Sequence, residues 1–172
     1  MYHLAKNAVS ADTISEVFDF YKNCTNQITL NGADRDRHYA STLGHFMITE
    51  MHEHEVPELW PQVKQAIQAA TGYTPELCYT RMLKYNRTCF IQNHVDTYAK
   101  NAQLASNVSV VIQASDPSEY RGGELIVEKR LLDMQLGDMV FYTYENYHEV
   151  KPIKEGTRYV INIRCYIKEL DI

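Results

Sequence analysis

Four residues in the C-terminal half have types and spacings that can do chemistry: His94 and Asp96 in His94-Val95-Asp96, His148, and Arg158 ten positions after it. Two imidazoles and one carboxylate can occupy one face of a metal octahedron and leave the other positions open. That donor set suits a ferrous ion that must also take a co-substrate and O2. A guanidinium a fixed short distance after the last ligand can pair bidentately with the far carboxylate of a small dicarboxylic acid. His-x-Asp by itself is a common tripeptide, and a lone His is more often a surface or packed residue than a ligand. The weight therefore rests on the ordered set. His94-x-Asp96 ends a β-type run, His148 follows the apolar run Met139-Val140-Phe141-Tyr142, and Arg158 opens the last β-type run behind a turn at Glu155-Gly156.

The elements that must position these residues are legible as patterns. If Cys89 to His94 is a strand, His94 and Asp96 leave the same face of its end, because side chains alternate with a period of two. His148 lies far along the chain and reaches the same metal only if a later strand returns beside the first, as in a Greek-key jelly roll. Short β-type runs recur from Tyr73 onward: Leu77 to Tyr85, Cys89 to His94, Asn107 to Gln113, Glu124 to Glu128, Met139 to Tyr142, Tyr147 to Pro152 and Arg158 to Lys168. Gly122-Gly123, Gly137-Asp138 and Glu155-Gly156 mark turns between them. The first seventy residues read as helical. Ser10 and Thr13 can cap a helix carrying Ile14, Val17, Phe18 and Tyr21 on one side, Asn31 to Tyr39 read as a polar loop, and a second helix is expected from Pro57 to Ala70 with Gly72 past its end. Helices first and antiparallel strands after predict an α+β domain with a double-sheet jelly-roll core.

The chain of 172 residues, 45% hydrophobic and 23% charged, suits one soluble globular domain, with a helical part over about 1–72 and the core over about 73–168. Its net charge of -5 gives no basic surface for nucleic acid or anionic lipid, and no apolar run is long enough to span a bilayer. Cys24, Cys78, Cys89 and Cys165 form no CxxC pair, so they read as reduced thiols, and with no apolar leader at Met1 to Asn7 a cytoplasmic protein is expected. Lys129-Arg130 and Arg35 to Arg37 read as solvated turns. A second metal candidate, His52-Glu53-His54 with His45, reads more simply as a charged lead-in to a helix.

The ordered set His94-x-Asp96, His148 and Arg158, with Gly122-Gly123-Glu124-Leu125 between the ligands, resembles the Fe(II)/2-oxoglutarate-dependent dioxygenases, specifically the prolyl 4-hydroxylase-like branch. The resemblance covers about residues 77 to 168. It implies a double-stranded β-helix with N-terminal helices packed against the major sheet, and the distal His and the basic residue on consecutive strands of opposite sheets. It also implies His94, Asp96 and His148 as catalytic Fe(II) ligands, and Arg158, with Tyr85 and Asn162, as the groups that bind 2-oxoglutarate. O2 is the second co-substrate, and ascorbate is a stimulant of such enzymes. Halogenating relatives carry a small residue at the position of Asp96, so a carboxylate there implies hydroxylation, with release of succinate and CO2.

Along the last strand Arg158, Val160, Asn162 and Arg164 share one face by alternation and would line the pocket. The family often has Trp where this chain has Arg164, which would either take an anionic substrate group or pair with an acidic neighbour. Arg164 and Tyr98 are the substrate-side candidates, while Asn93 and Thr97 are candidates for fixing the imidazole tautomers. The resemblance points to a prolyl residue in a peptide or protein, reached through a groove near the loops Tyr98 to Asn107 and Asp116 to Arg121. The same chemistry on a small molecule or free amino acid stays open, as does a jelly-roll module that binds an acid without turnover. The oligomeric state is not fixed by any of these features.

Overall fold

The architecture follows from the alternation of a few long strands. The computed structural model describes residues 1–25, 27–30, 39–40, 46–96, 98 and 105–171, by backbone alone for 27–30, 39–40 and 46–48. In chain order the elements are β1 (Tyr2–Ala5), α1 (Ala11–Asn23), β2 (Gln27–Leu30), β3 (Tyr39–Ala40), β4 (Phe46–Met51), α2 (Leu59–Thr71), β5 (Glu76–Tyr85), β6 (Phe90–His94) and β7 (Val108–Gln113). They continue with β8 (Tyr120–Gly122), β9 (Leu125–Val127), β10 (Arg130–Leu131), β11 (Met139–Thr143), β12 (His148–Val150), β13 (Ile153–Gly156) and β14 (Arg158–Tyr166). A major sheet runs β1-β11-β7-β14-β5-β4-β2 and a minor sheet runs β10-β9-β12-β6-β3, with β13 and β8 paired separately. The pairings are antiparallel, and the result is the α+β double-stranded β-helix expected from the sequence.

Strands β7 and β11 are buried at every position because the major sheet is covered on both sides. Its outer face, with Met82, Val110, Ile112, Phe141, Ile161 and Ile163, packs against Ile14 and Val17 of α1 and Leu59, Val63 and Ile67 of α2. Val17, Val63 and Ile67 are wholly buried, each worth about 1.5–3 kcal/mol of transfer free energy. Its inner face, with Leu83, Tyr85, Val111, Val140, Tyr142 and Val160, meets Ile91, Leu125, Val127 and Val150 of the minor sheet. The cleft with the chemistry opens between these two inner faces.

Helix α1 starts where Ser10 Oγ accepts from Thr13 N at 3.2 Å. Thr13 lies inside the helix rather than at its cap. Its hydroxyl instead accepts from Gln62 of α2 at 2.7 Å, while Gln62 also accepts from Ser10 N at 2.8 Å, which ties the two helices together. Helix α2 begins two residues later than expected and ends at Gly72, whose N–H donates to Gln68 O at 2.8 Å.

Two features differ from the sequence reading. The first seventy residues are not simply helical, since β1 forms one edge of the major sheet and β2 and β4 the other. Their partners are remote or their runs short: β1 is four residues paired with residues 139–142, which no local periodicity signals. Tyr147 to Pro152 is not one strand either. Proline has no N–H for a ladder, and the chain passes from β12 in the minor sheet to β13 against β8. His148 and Arg158 therefore lie on opposite sheets with this short extra strand between them. Of the expected Asn31 to Tyr39 loop, residues 31–38 lie outside the described residues. Among the described residues, no helix is long and apolar enough to cross a membrane.

Asp138, buried at the turn before β11, accepts from Asn7 N at 2.9 Å, Gln135 N at 2.8 Å and Lys6 Nζ at 2.8 Å, and so fastens β1 to the sheet. Burial opposes its ionisation, but these donors hold its carboxyl below the ordinary range. Because its folded pKa is depressed, its contribution is present above the unfolded carboxylate pKa of about 3.9 and is lost as pH falls through the folded value. Asp138→Asn is expected to cost about 1.5–3 kcal/mol at neutral pH. It should also flatten the acid limb of stability, measured as denaturant midpoints between about pH 7 and pH 3.

Candidate metal centre

Antiparallel pairing of β12 with β6 sets His148 and His94 directly opposite each other, with ring centroids 4.2 Å apart. Asp96 follows just beyond the end of β6. Its Oδ1 is 3.6 Å from Nε2 of His94 and 3.6 Å from Nε2 of His148. One ligand atom from each of the three lies within 4.8 Å of the others, close enough to share an ion. Among the described residues this is the group of His, Cys, Asp and Glu side chains with that property. His52 and His54 stack with ring centroids 5.8 Å apart beside a short 3-10 turn, and His45 lies outside the described residues.

The imidazoles are oriented by backbone. His94 Nδ1 lies 2.7 Å from Gln92 O and His148 Nδ1 lies 3.0 Å from Asn146 O, in each case the carbonyl two residues upstream. A proton on Nδ1 donated to that carbonyl leaves the Nε2 lone pair of each ring for a metal. These carbonyls, rather than the side chain of Asn93, take the tautomer-fixing position; Thr97 lies outside the described residues. Burial pushes the His148 imidazole below its ordinary pKa, against the pull of the Asp96 carboxylate, and favours the neutral form that ligates.

The two oxygens of Asp96 have different neighbours. Oδ1 faces the imidazoles, while Oδ2 accepts from Arg164 Nη1 at 2.6 Å and from Ser109 Oγ, which itself accepts from Arg164. Burial works against ionisation of Asp96, yet His94, Arg164, His148 and Ser109 together hold its carboxyl far below the usual carboxylate range. Arg164 thus takes the acidic-neighbour alternative of its two readings. Ser109 was not singled out in the sequence because Val108-Ser109-Val110-Val111 reads as plain strand. The register that places Ser109 beside both Arg164 and Tyr142 exists only in the assembled sheet.

At the other end of the same face Arg158 is 2% exposed, and its Nε and Nη1 have no hydrogen-bond partner. Its guanidinium lies 5.3 Å from the centroid of the Tyr85 ring, its Cα partner on β5. A buried guanidinium with unpartnered donors is costly unless an anion meets it. The residues therefore fit the far carboxylate of a dicarboxylic acid whose near end sits at the triad. The Gly122-Gly123 pair makes room for this arrangement. Both have positive φ, a Cβ on Gly122 would overlap the Pro152 carbonyl, and one on Gly123 would overlap Ile153 Cδ1 and lie 3.2 Å from Arg158 Cδ.

The triad, Tyr85, Arg158, Asn162 and Arg164 line a single cavity. Asn162 Nδ2 donates to Val110 O at 3.1 Å. Arg81 also lines it, as alternation from Tyr85 along β5 would have indicated. Tyr98 is not part of that lining. Its hydroxyl donates to Asp171 at 2.8 Å and its ring lies 4.8 Å from Tyr144.

Comparison with known proteins agrees with this geometry. A PKHD-type hydroxylase of Stenotrophomonas maltophilia (strain R551-3) is 28% identical over 137 residues, covering 68% of this chain and 61% of the relative, so the chain spans less than two thirds of that protein. Among solved structures, a 2OG-Fe(II) oxygenase family oxidoreductase from Burkholderia pseudomallei superposes with a TM-score of 0.72 at 13% identity, over 96% of this chain and 84% of that one. A Pseudomonas putida prolyl-4-hydroxylase superposes with a TM-score of 0.64 at 15% identity, over 96% and 91% respectively. These likenesses carry the fold. Residues 80–165, the stretch that holds the triad, both glycines of the pair and all three cleft arginines, match the sequence model of the 2OG-Fe(II) oxygenase superfamily, and the chain belongs to that superfamily.

Proposed function

We propose that this chain hydroxylates a C–H bond with Fe(II), 2-oxoglutarate and O2, and that the substrate is a prolyl residue. The observation that carries the co-substrate reading is the buried, unpartnered guanidinium of Arg158 in the cavity that also holds the triad. His94, Asp96 and His148 would hold the iron, and Arg158 would fix the far carboxylate of 2-oxoglutarate beside Tyr85. The bound metal and co-substrate supply the oxidising power, coupling decarboxylation of 2-oxoglutarate to succinate with oxygenation of the substrate. The chain's part is ligation, orientation and a cleft shielded by Leu83, Val111, Leu125, Val150 and Val160. The prolyl reading is supported by the likeness to the Pseudomonas putida prolyl-4-hydroxylase and by the PKHD-type hydroxylase relatives.

Anaerobic addition of Fe(II) and then 2-oxoglutarate should produce the weak visible charge-transfer band of the chelate. A jelly-roll module that only binds the acid would give no such band. With O2 and a prolyl peptide, succinate release should rise. His148→Ala should abolish succinate release and Asp96→Ala should abolish tight iron binding, and normal turnover by either variant would sink the assignment. Arg158→Gln should raise the 2-oxoglutarate midpoint by about tenfold to a hundredfold, the loss of a charge-assisted pair, with the metal still bound. Because Arg164 holds the oxygen of Asp96 turned away from the imidazoles, Arg164→Leu should weaken metal binding by about 10–100-fold, read by Co(II) titration.

A further inference from the structure

Arg81 is the third arginine of the cleft, and its surroundings differ from those of the other two. It stands beside Asn162 across the β5–β14 pairing and is half-buried. Nη2 donates to Tyr79 Oη at 2.9 Å, and the guanidinium lies 4.5 Å from the centroid of the Tyr79 ring, so one edge is held. Nε is buried and has no hydrogen-bond partner. Among the described residues no carboxylate lies within ion-pair distance; Glu50, its cross-strand neighbour on β4, makes no such pair. Arg164 is already neutralised by Asp96, and Arg158 stands four residues before Asn162 on β14, at the co-substrate end. That leaves one uncompensated cation on the cavity wall, level with Asn162. An anionic ligand there would recover the free energy that partial burial of the charge costs.

We propose that Arg81 receives a carboxylate of the substrate. The residue that reacts is then a free amino or imino acid, or the last residue of a peptide, rather than one within a polypeptide. This rests on the iron and 2-oxoglutarate reading above. It narrows that reading, because a carboxylate held by Arg81 fixes the substrate's acid end relative to the triad and selects which carbon faces the iron site.

The test uses the anaerobic Fe(II)·2-oxoglutarate form and follows the shift of its charge-transfer band on adding ligands. The probes are the common free amino acids including L-proline, a short peptide ending in proline, and the carboxamide of each. Free acids or the peptide acid are expected to shift the band at concentrations at least about tenfold lower than their amides. Response to free acids alone assigns a free amino acid, and response to the peptide acid assigns a chain terminus. Arg81→Gln should erase the preference for acid over amide while the 2-oxoglutarate band persists, and Arg81→Lys should keep part of it. Equal response to acid and amide, response to neither, a preference that survives Arg81→Gln, or loss of the 2-oxoglutarate band in Arg81→Gln would each overturn the proposal. Absence of the band in the unaltered protein would instead defeat the iron and 2-oxoglutarate reading itself.

Discussion

Charge compensation in a largely buried cleft is the constraint on which the rest of the site depends. Burial opposes ionisation of Asp96, and it is ionised because Arg164 and Ser109 hold one of its oxygens and the imidazoles surround the other. Replacing the bulky aromatic frequent at position 164 by a guanidinium therefore does more than fill space. It gives the Asp96 carboxylate a fixed orientation and a counter-charge within a hydrogen-bonded cluster that includes Ser109. The two remaining arginines carry charge that the protein itself does not cancel.

Sheet geometry decides where those charges stand. Strand β14 presents Arg158, Val160, Asn162 and Arg164 on one face, and its two neighbours align Tyr85, Leu83, Arg81 and Tyr79 on one side and Gln113, Val111 and Ser109 on the other. Cation, apolar patch, amide and cation thus follow one another along the inner wall, while the outer face of β14 and β7 under the two helices is dominated by Ile161, Ile163, Val110 and Ile112. A slip of one residue in register would exchange these faces, placing arginines under the helices and isoleucines in the cleft. The size of that penalty is what pins the register.

Much of this was legible in the residues alone. The candidate triad and Arg158 were legible through their order along the chain and the resemblance it carries, and the face shared by β14 through alternation, because period-two side-chain direction is a local property of a strand. Ser10 at the start of α1 and Gly72 at the end of α2 were legible for the same reason. What escaped was non-local. The pairing of Tyr2–Ala5 with residues 139–142 leaves no periodic trace in four residues, and Ser109 becomes a partner of Asp96 only through the β7–β14 register. Arg164 could be assigned to an acidic neighbour in kind but not to Asp96 in particular, since the two are 68 positions apart. Tyr98, a substrate-side candidate, instead donates its hydroxyl to Asp171.

The acceptors that orient His94 and His148 are main-chain carbonyls two residues upstream of each. A carbonyl is supplied by whatever amino acid occupies the position, so the exposed side chain of Gln92 can change without moving the aim of His94, whereas the buried Asn146 side chain itself braces the turn before His148 through Thr143 and Glu128. Divergence can then remodel exposed positions around the cleft, residue by residue, while the candidate metal centre stays in tune. Such insulation gives a scaffold room to acquire new substrates without relearning how to hold its metal.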